Sequence, residues 1–236
     1  MPLPAYAGDT PTHPYASLDT ALEMGFQQCV EQFRKALLAA PLGWLFVAWL
    51  AWGKISQPVL LSWLGLFALV WVAGLITLTR LTRRHITIAR DGWLLYLAVV
   101  LDGLAWGSSL LFPVMDEQLY LELIVVLFGI TALVAPTFIS HIRAYRFHSM
   151  AIYAMVVINC AYRYHDAYAE VLKLLVGMAL FMLLIHIHAQ RTSARILHGL
   201  RLQLENALLT EQLRERLRAA KLDATTDPLT GLANRR

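Results

Sequence analysis

An aspartate in the middle of an apolar run is the residue of this chain whose type and position most invite chemistry. Asp102 stands in LDGLAWGSS, near the centre of a long hydrophobic segment. An ionised carboxylate is expensive there, and an ionisable side chain at such depth marks a functional position by default. No Lys or Arg is expected at the same depth, so the carboxyl should be protonated or hydrogen-bonded to Ser, Thr or Trp side chains. Two roles stand open: contact with a ligand or proton, or a structural polar contact between helices, which in membranes is common and modest. Trp106 lies one turn further on, and Gly103 and Gly107 would admit a neighbouring helix or ligand to close approach. Thr131 and Asn159, from later apolar segments, are candidate partners. A second group is His141, His148, His186 and His188, all mapping near one end of their segments. Imidazole nitrogens in such a cluster can hold haem or a metal ion. His186 and His188 are two apart on a helix and face different directions, so at most one of them points to a shared site. Interfacial histidines bonded to headgroups, water or backbone are the plainer account. His165, with Tyr162, Tyr164, Asp166 and Tyr168, could line a ligand entrance, although aromatic residues at an interface usually anchor helices.

The elements that must position these side chains are apolar helices. Six apolar segments, at about 37 to 54, 58 to 79, 92 to 113, 119 to 140, 147 to 162 and 170 to 188, each approach the roughly 20 residues needed to cross a bilayer core. Short connections favour antiparallel neighbours in one bundle. Arg34 and Lys35, then Arg80, Arg83, Arg84 and Arg90, then Arg143 and Arg146, then Arg191 and Arg195 fall on one side of a six-span arrangement. The other side carries Lys54, Asp116 and Glu117, then Arg163, His165 and Asp166. This asymmetry predicts both termini in the cytoplasm. Pro41, Pro113 and Pro136 lie in or at the ends of spans, and Pro136 with Thr131 and Thr137 is a candidate hinge or a fixed kink.

Composition agrees. Apolar residues make up 58% of the 236, above the roughly 45–50% of soluble domains, so a membrane protein is expected. The formal net charge of +4 comes from residues between apolar blocks and in the last fifty positions; it reads as a topology signal and not as a nucleic-acid surface. Cys29 and Cys160 have no metal spacing and should lie toward opposite faces of the bilayer. Residues 1–16 are Pro-rich, with no basic residue and no apolar core of a signal peptide, and should form a loose tail. Between them and the first span, Leu18, Leu22, Phe26, Cys29, Val30, Phe33 and Leu37 form one helical stripe, and Thr20 and Glu23 have capping-box spacing. An amphipathic helix over 17–36 is expected, lying at the cytoplasmic surface or packed across the bundle, or else simply extending the first span.

From Ala189 to Ala224 the chain stays helical in character but becomes polar. Leu200, Leu204, Leu208, Leu213, Leu217, Ala220 and Ala224 form a seam with steps mostly of four, flanked by Glu205, Glu211, Glu215, Arg214, Arg216 and Arg218. This pattern is looser than a heptad and suits a coiled coil carrying a stutter. Its economical partner is a second copy, giving a parallel homodimer; a solvated helix folding onto its own bundle is the rival reading.

At the end of that helix stands DATTDPLTGLANRR, Asp223 to Arg236. The run TDPLTGLANRR at Thr226 to Arg236 resembles the opening signature of GGDEF domains, the diguanylate cyclase family, in which D-x-L-T-G-L-x-N-R-R joins a signalling helix to the catalytic domain. The six-span block, with fragments such as DGLAWGSSLLFP, resembles the membrane-associated sensor (MASE-type) modules that often precede such domains. In physical terms Pro228 biases Asp227 out of the α region and should stop the coiled coil, Asp227 can cap the segment after it, and Gly231 permits a tight turn. The resemblance implies that Asp227 pairs with an Arg of Asn234, Arg235 and Arg236 to fix the angle between stalk and catalytic domain, without making these residues catalytic. The GG(D/E)EF signature, the metal-binding carboxylates and the guanine-binding residues lie further along in that family, and this chain is expected to have no cyclase activity alone.

The expectation is therefore an all-α membrane protein: a six-helix sensory bundle in a bacterial inner membrane, a dimerising helix, and the start of a GGDEF domain. For the full protein the resemblance implies condensation of two GTP into cyclic di-GMP, with Mg2+ and GTP bound by the GGDEF domain and pyrophosphate released. A degenerate GGDEF receptor, or a GGDEF domain joined to a phosphodiesterase domain, remains open. So does a small transporter or channel, although no repeat relates spans one to three with four to six.

Overall fold

Long apolar blocks cannot leave backbone polar groups unpaired away from water, and a helix satisfies them within each segment. The structure, a computed structural model, describes residues 18–113, 115–164 and 168–225, and all regular structure among them is helical. The helices are α1 (Leu18–Ala51), α2 (Gln57–Thr82), α3 (Ile88–Gly107, continued by a 3-10 turn at Ser108–Leu111), α4 (Glu117–Phe138), α5 (Ile142–Arg163) and α6 (Tyr168–Thr225). Five helical stretches are long and apolar enough to cross a membrane: Asp19–Ala51, Gln57–Thr82, Ile88–Leu111, Glu117–Arg163 and Val171–Lys221. The fourth holds two helices, because a 3-10 turn at Ile139–His141 reverses the chain between α4 and α5. Tyr120 Oη lies 3.1 Å from Cys160 Sγ, and Tyr145 Oη donates to the Thr131 carbonyl at 3.4 Å. Only an antiparallel hairpin makes both contacts.

Local chemistry sets the ends. α1 stops where Gly53, at φ +73°, takes a left-handed conformation open to glycine at no steric cost. Extended Ser56, with Pro58 in the first turn, starts α2. Asp116 accepts the Leu119 N–H at 2.6 Å and caps α4. The start of α3 is capped from α1, where Glu23 accepts the Ile88 N–H at 2.9 Å, and Asp91 accepts the Thr87 N–H at 3.1 Å while pairing with Arg84 and Arg90. Glu23 thus serves a second helix.

One helix covers both the amphipathic segment and the first apolar segment, with no break near residue 36 and with Pro41 inside it. The stripe of Phe26, Cys29, Val30, Phe33 and Leu37 is buried in protein. It joins a core with Leu78, Leu95, Val99, Phe138 and Tyr145. A second core contains Trp44, Phe67, Trp106, Leu123, Leu127, Ile152 and Val156. α3 is the central helix: 56% of its apolar window is buried, against 17% for α2 and 11% for α6, whose outer faces are left for lipid or a partner.

Contacts divide the chain into two units, Leu22–Leu197 and Met1–Ala21 with His198–Arg236. The first holds the helical bundle. In the second, α6 continues as a polar helix with ion pairs Arg201–Glu205 at 2.9 Å and Arg214–Glu211 at 3.6 Å, and with Leu213 and Leu217 exposed. The tail at 1–16, His165, Asp166 and the junction residues Asp227, Pro228, Asn234, Arg235 and Arg236 lie outside the described residues.

Candidate functional site: a buried polar layer

On the buried faces of α3, α4 and α5 polar side chains stand between the two apolar cores, while Trp71 of α2 packs against both. On α3, Asp102 stands between Val99 of one core and Ala105 of the other; on α5, His148 and Ser149 stand between Tyr145 and Ile152; on α4, Thr131 stands between Phe138 and Leu127. α6 supplies His186 at the same level, between Met178 and Ala189. Asp102, Thr131, His148 and Ser149 are all buried.

The layer is held by backbone proximity. A Cβ on Gly103 would stand 2.6 Å from the His148 carbonyl oxygen and 2.9 Å from Ala151 Cβ, and one on Gly107 would stand 2.6 Å from Met155 Cβ. α5 is therefore the neighbour that these glycines admit, and it brings His148 Nε2 to 2.9 Å from Asp102 Oδ2. The carboxyl's partner is an imidazole, in place of the Ser, Thr or Trp expected from sequence. His148 is fully buried, and its Nδ1 has no hydrogen-bond partner among the described residues.

Around this pair the other candidates separate. Thr131 is spent on its own helix, donating to the Leu127 carbonyl at 2.9 Å, and Asn159 donates to the Leu110 carbonyl at 2.7 Å, closing the turn that ends α3. Neither is a partner of Asp102. Trp106 packs edge-on against Phe67 with ring centroids 4.9 Å apart and lines the same cavity as Asp102.

The four histidines have separate neighbours. His141 Nε2 shares a hydrogen bond with Tyr96 Oη at 2.8 Å, with the rings stacked. His186 Nδ1 lies 2.8 Å from the Met182 carbonyl, which makes that nitrogen a donor, and Nε2 lies 3.1 Å from Ser149 Oγ. His188 is exposed. Among the described residues no group of three or more His, Cys, Asp or Glu side chains is arranged to hold a metal ion. The four imidazoles therefore do not form one group of three or more metal ligands.

Sequence reasoning placed His148 in that cluster and missed its pairing with Asp102. The available signal was its place after a basic loop, at the start of an apolar segment, where a neutral imidazole is tolerated and a charged group needs a partner. The class so defined is an all-helical protein, among its described residues, with five helical stretches long and apolar enough to cross a membrane and with a buried carboxylate and imidazole between two apolar cores. Comparison with protein-family models, with curated proteins and with solved structures finds no match for this chain.

Proposed function

We propose that this chain is the membrane sensory and dimerisation module of a diguanylate cyclase, controlling synthesis of cyclic di-GMP from two GTP. In this reading the antiparallel α4 and α5 are separate spans, the bundle crosses an inner membrane six times, and both termini face the cytoplasm. The carrying observation is that α6 runs unbroken from its apolar block to Thr225, and the run TDPLTGLANRR comes directly after it in the sequence. A helix without a break supports mechanical coupling, because no loop intervenes in which a shift or rotation at its apolar end would be lost. Two cyclase domains, each holding one GTP, must face each other to react, so a change in the crossing of paired stalks sets whether their sites meet.

The test is to express the complete coding region containing this sequence and measure conversion of GTP to cyclic di-GMP in membranes with Mg2+. Synthesis is the expected result. Binding of cyclic di-GMP without synthesis, or its hydrolysis, would instead assign the chain to a degenerate receptor or a phosphodiesterase protein. A coding region with no GG(D/E)EF run about seventy residues beyond Arg236 sinks the cyclase reading.

A further inference from the structure

Between α1, α3 and α4 lies a cavity of about 490 Å3, within the roughly 300–1,000 Å3 typical of small-molecule sites. Small residues of α1, Ala40 and Gly43 among them, form one wall, and Leu133 and Thr137 of α4 form another. Asp102 and Trp106 of α3 line it from the buried side. Leu42 and Leu133 at its rim are 73% and 78% exposed, so it opens on the apolar outer face of the helices, the surface a bilayer covers. Apart from Asp102 and Thr137 its lining is apolar or aromatic.

Asp102 is 6% exposed, and its Oδ1 has no hydrogen-bond partner among the described residues, Oδ2 being the atom held by His148. Counting protons shows what such a pair lacks. If the pair is neutral overall, the imidazole carries a proton on Nδ1, either as imidazolium beside carboxylate or as the Nδ1–H tautomer accepting from a carboxylic acid. That N–H is then a buried donor with no acceptor, which is costly. If instead the imidazole is neutral with its proton on Nε2, Nδ1 is a bare acceptor, and the pair carries one negative charge inside an apolar bundle. In every state Oδ1 remains an acceptor, on a side chain that lines the cavity. A cationic donor arriving from the cavity relieves the second state directly, by charge and by hydrogen bond.

We propose that the cavity binds a lipophilic amine, an apolar chain bearing a protonated amino group, which enters from the bilayer between α1 and α4 and donates to Asp102 Oδ1. The proposal deepens the sensory reading above by naming the chemical class of its ligand, and it rests on that reading only for the effect on cyclase output. The Thr137 hydroxyl is the second polar group within the cavity lining, and the small residues of α1 leave the room for the chain.

The experiment uses the whole chain in phosphatidylcholine nanodiscs and a decylamine carrying a mid-chain diazirine, with labelled peptides mapped by mass spectrometry. Saturable labelling of the α1 and α4 peptides around Ala40 and Leu133 is expected. Decylamine should compete, decanol about tenfold less well, and decane and decanoate not at all. Asp102→Leu should weaken labelling by about tenfold or more. Ala40→Phe, on the α1 wall of the cavity, should abolish it by filling the cavity, and a thermal unfolding curve for each variant separates loss of site from loss of fold. Labelling that does not saturate, that decane competes as well as decylamine, or that survives Ala40→Phe in a folded protein overturns the proposal and leaves the cavity to lipid chains. Labelling reads the bundle alone, so its failure leaves the cyclase reading intact, and absence of cyclase activity leaves the site intact.

Discussion

At 2.9 Å, His148 Nε2 and Asp102 Oδ2 are joined by a hydrogen bond, and each residue keeps another polar atom without a hydrogen-bond partner among the described residues. Such a pair contributes little net stability, but breaking it from one side strands the other. Interhelical polar contacts in membranes couple by roughly 0.6 kcal/mol on average and at most about 1.7. A double-mutant cycle of Asp102→Leu and His148→Leu, read by thermal or chemical unfolding in detergent, is expected to return a coupling of about 1–1.7 kcal/mol, at the upper end of that range, with each single variant less stable than the double variant. Asp102 was legible in the sequence because a carboxylate in an apolar run stands out by type alone. His148 was not, because pairing depends on which helices are neighbours and at what register, and that is settled by Gly103 and Gly107 pressing α3 onto α5. Thr131 and Asn159 were plausible donors by composition, but a threonine in a helix can turn to its own backbone. An amide near a helix end finds the carbonyls that the helix leaves unpaired.

Among the elements, α3 is the one the others are built around, and its two glycines are where substitution should be felt most sharply. Gly103→Ala places a methyl against a backbone carbonyl, which cannot move aside as a flexible side chain would. A loss of about 1–3 kcal/mol is expected, measured by unfolding midpoint. Gly129→Ala on α4 meets nothing within 4 Å, and there alanine should be neutral or stabilise by up to about 1 kcal/mol through helix propensity. Equal effects at the two positions would refute backbone contact as the force that aligns α3 with α5. Helix positions were readable from apolar block length, while the ends set by Gly53, Ser56 and Asp116 emerged only with the structure. What the pattern left open was the fate of the first stripe. Whether Phe26, Val30 and Phe33 meet headgroups or protein depends on a groove that exists only once α2, α3, α4 and α5 have assembled.

For the molecule as a whole, the charge asymmetry of the loops and the apolar seam of α6 carry the expectations of topology and assembly, since both are properties of a chain in a membrane or beside its copy. Leu213 and Leu217 are 61% and 60% exposed, and a parallel homodimer through this seam brings each against its equivalent. Leu217→Cys is expected to form an intermolecular disulfide in oxidised membranes, seen as a dimer on a non-reducing gel, whereas Glu215→Cys, on the opposite face, should not. Leu213→Asp should shift the purified protein toward monomer in light scattering. Equal crosslinking at 215 and 217, or a monomer before mutation, rules out the seam. The natural thiols make these measurements clean. Cys29 is fully buried in one apolar core, and Cys160 is fully buried beside Tyr120 in the other, out of reach of thiol reagents while the bundle is folded. The unaltered sequence is thus its own reagent blank. A maleimide signal from a single introduced cysteine reports that position alone, and reaction of the native pair becomes a gauge of unfolding.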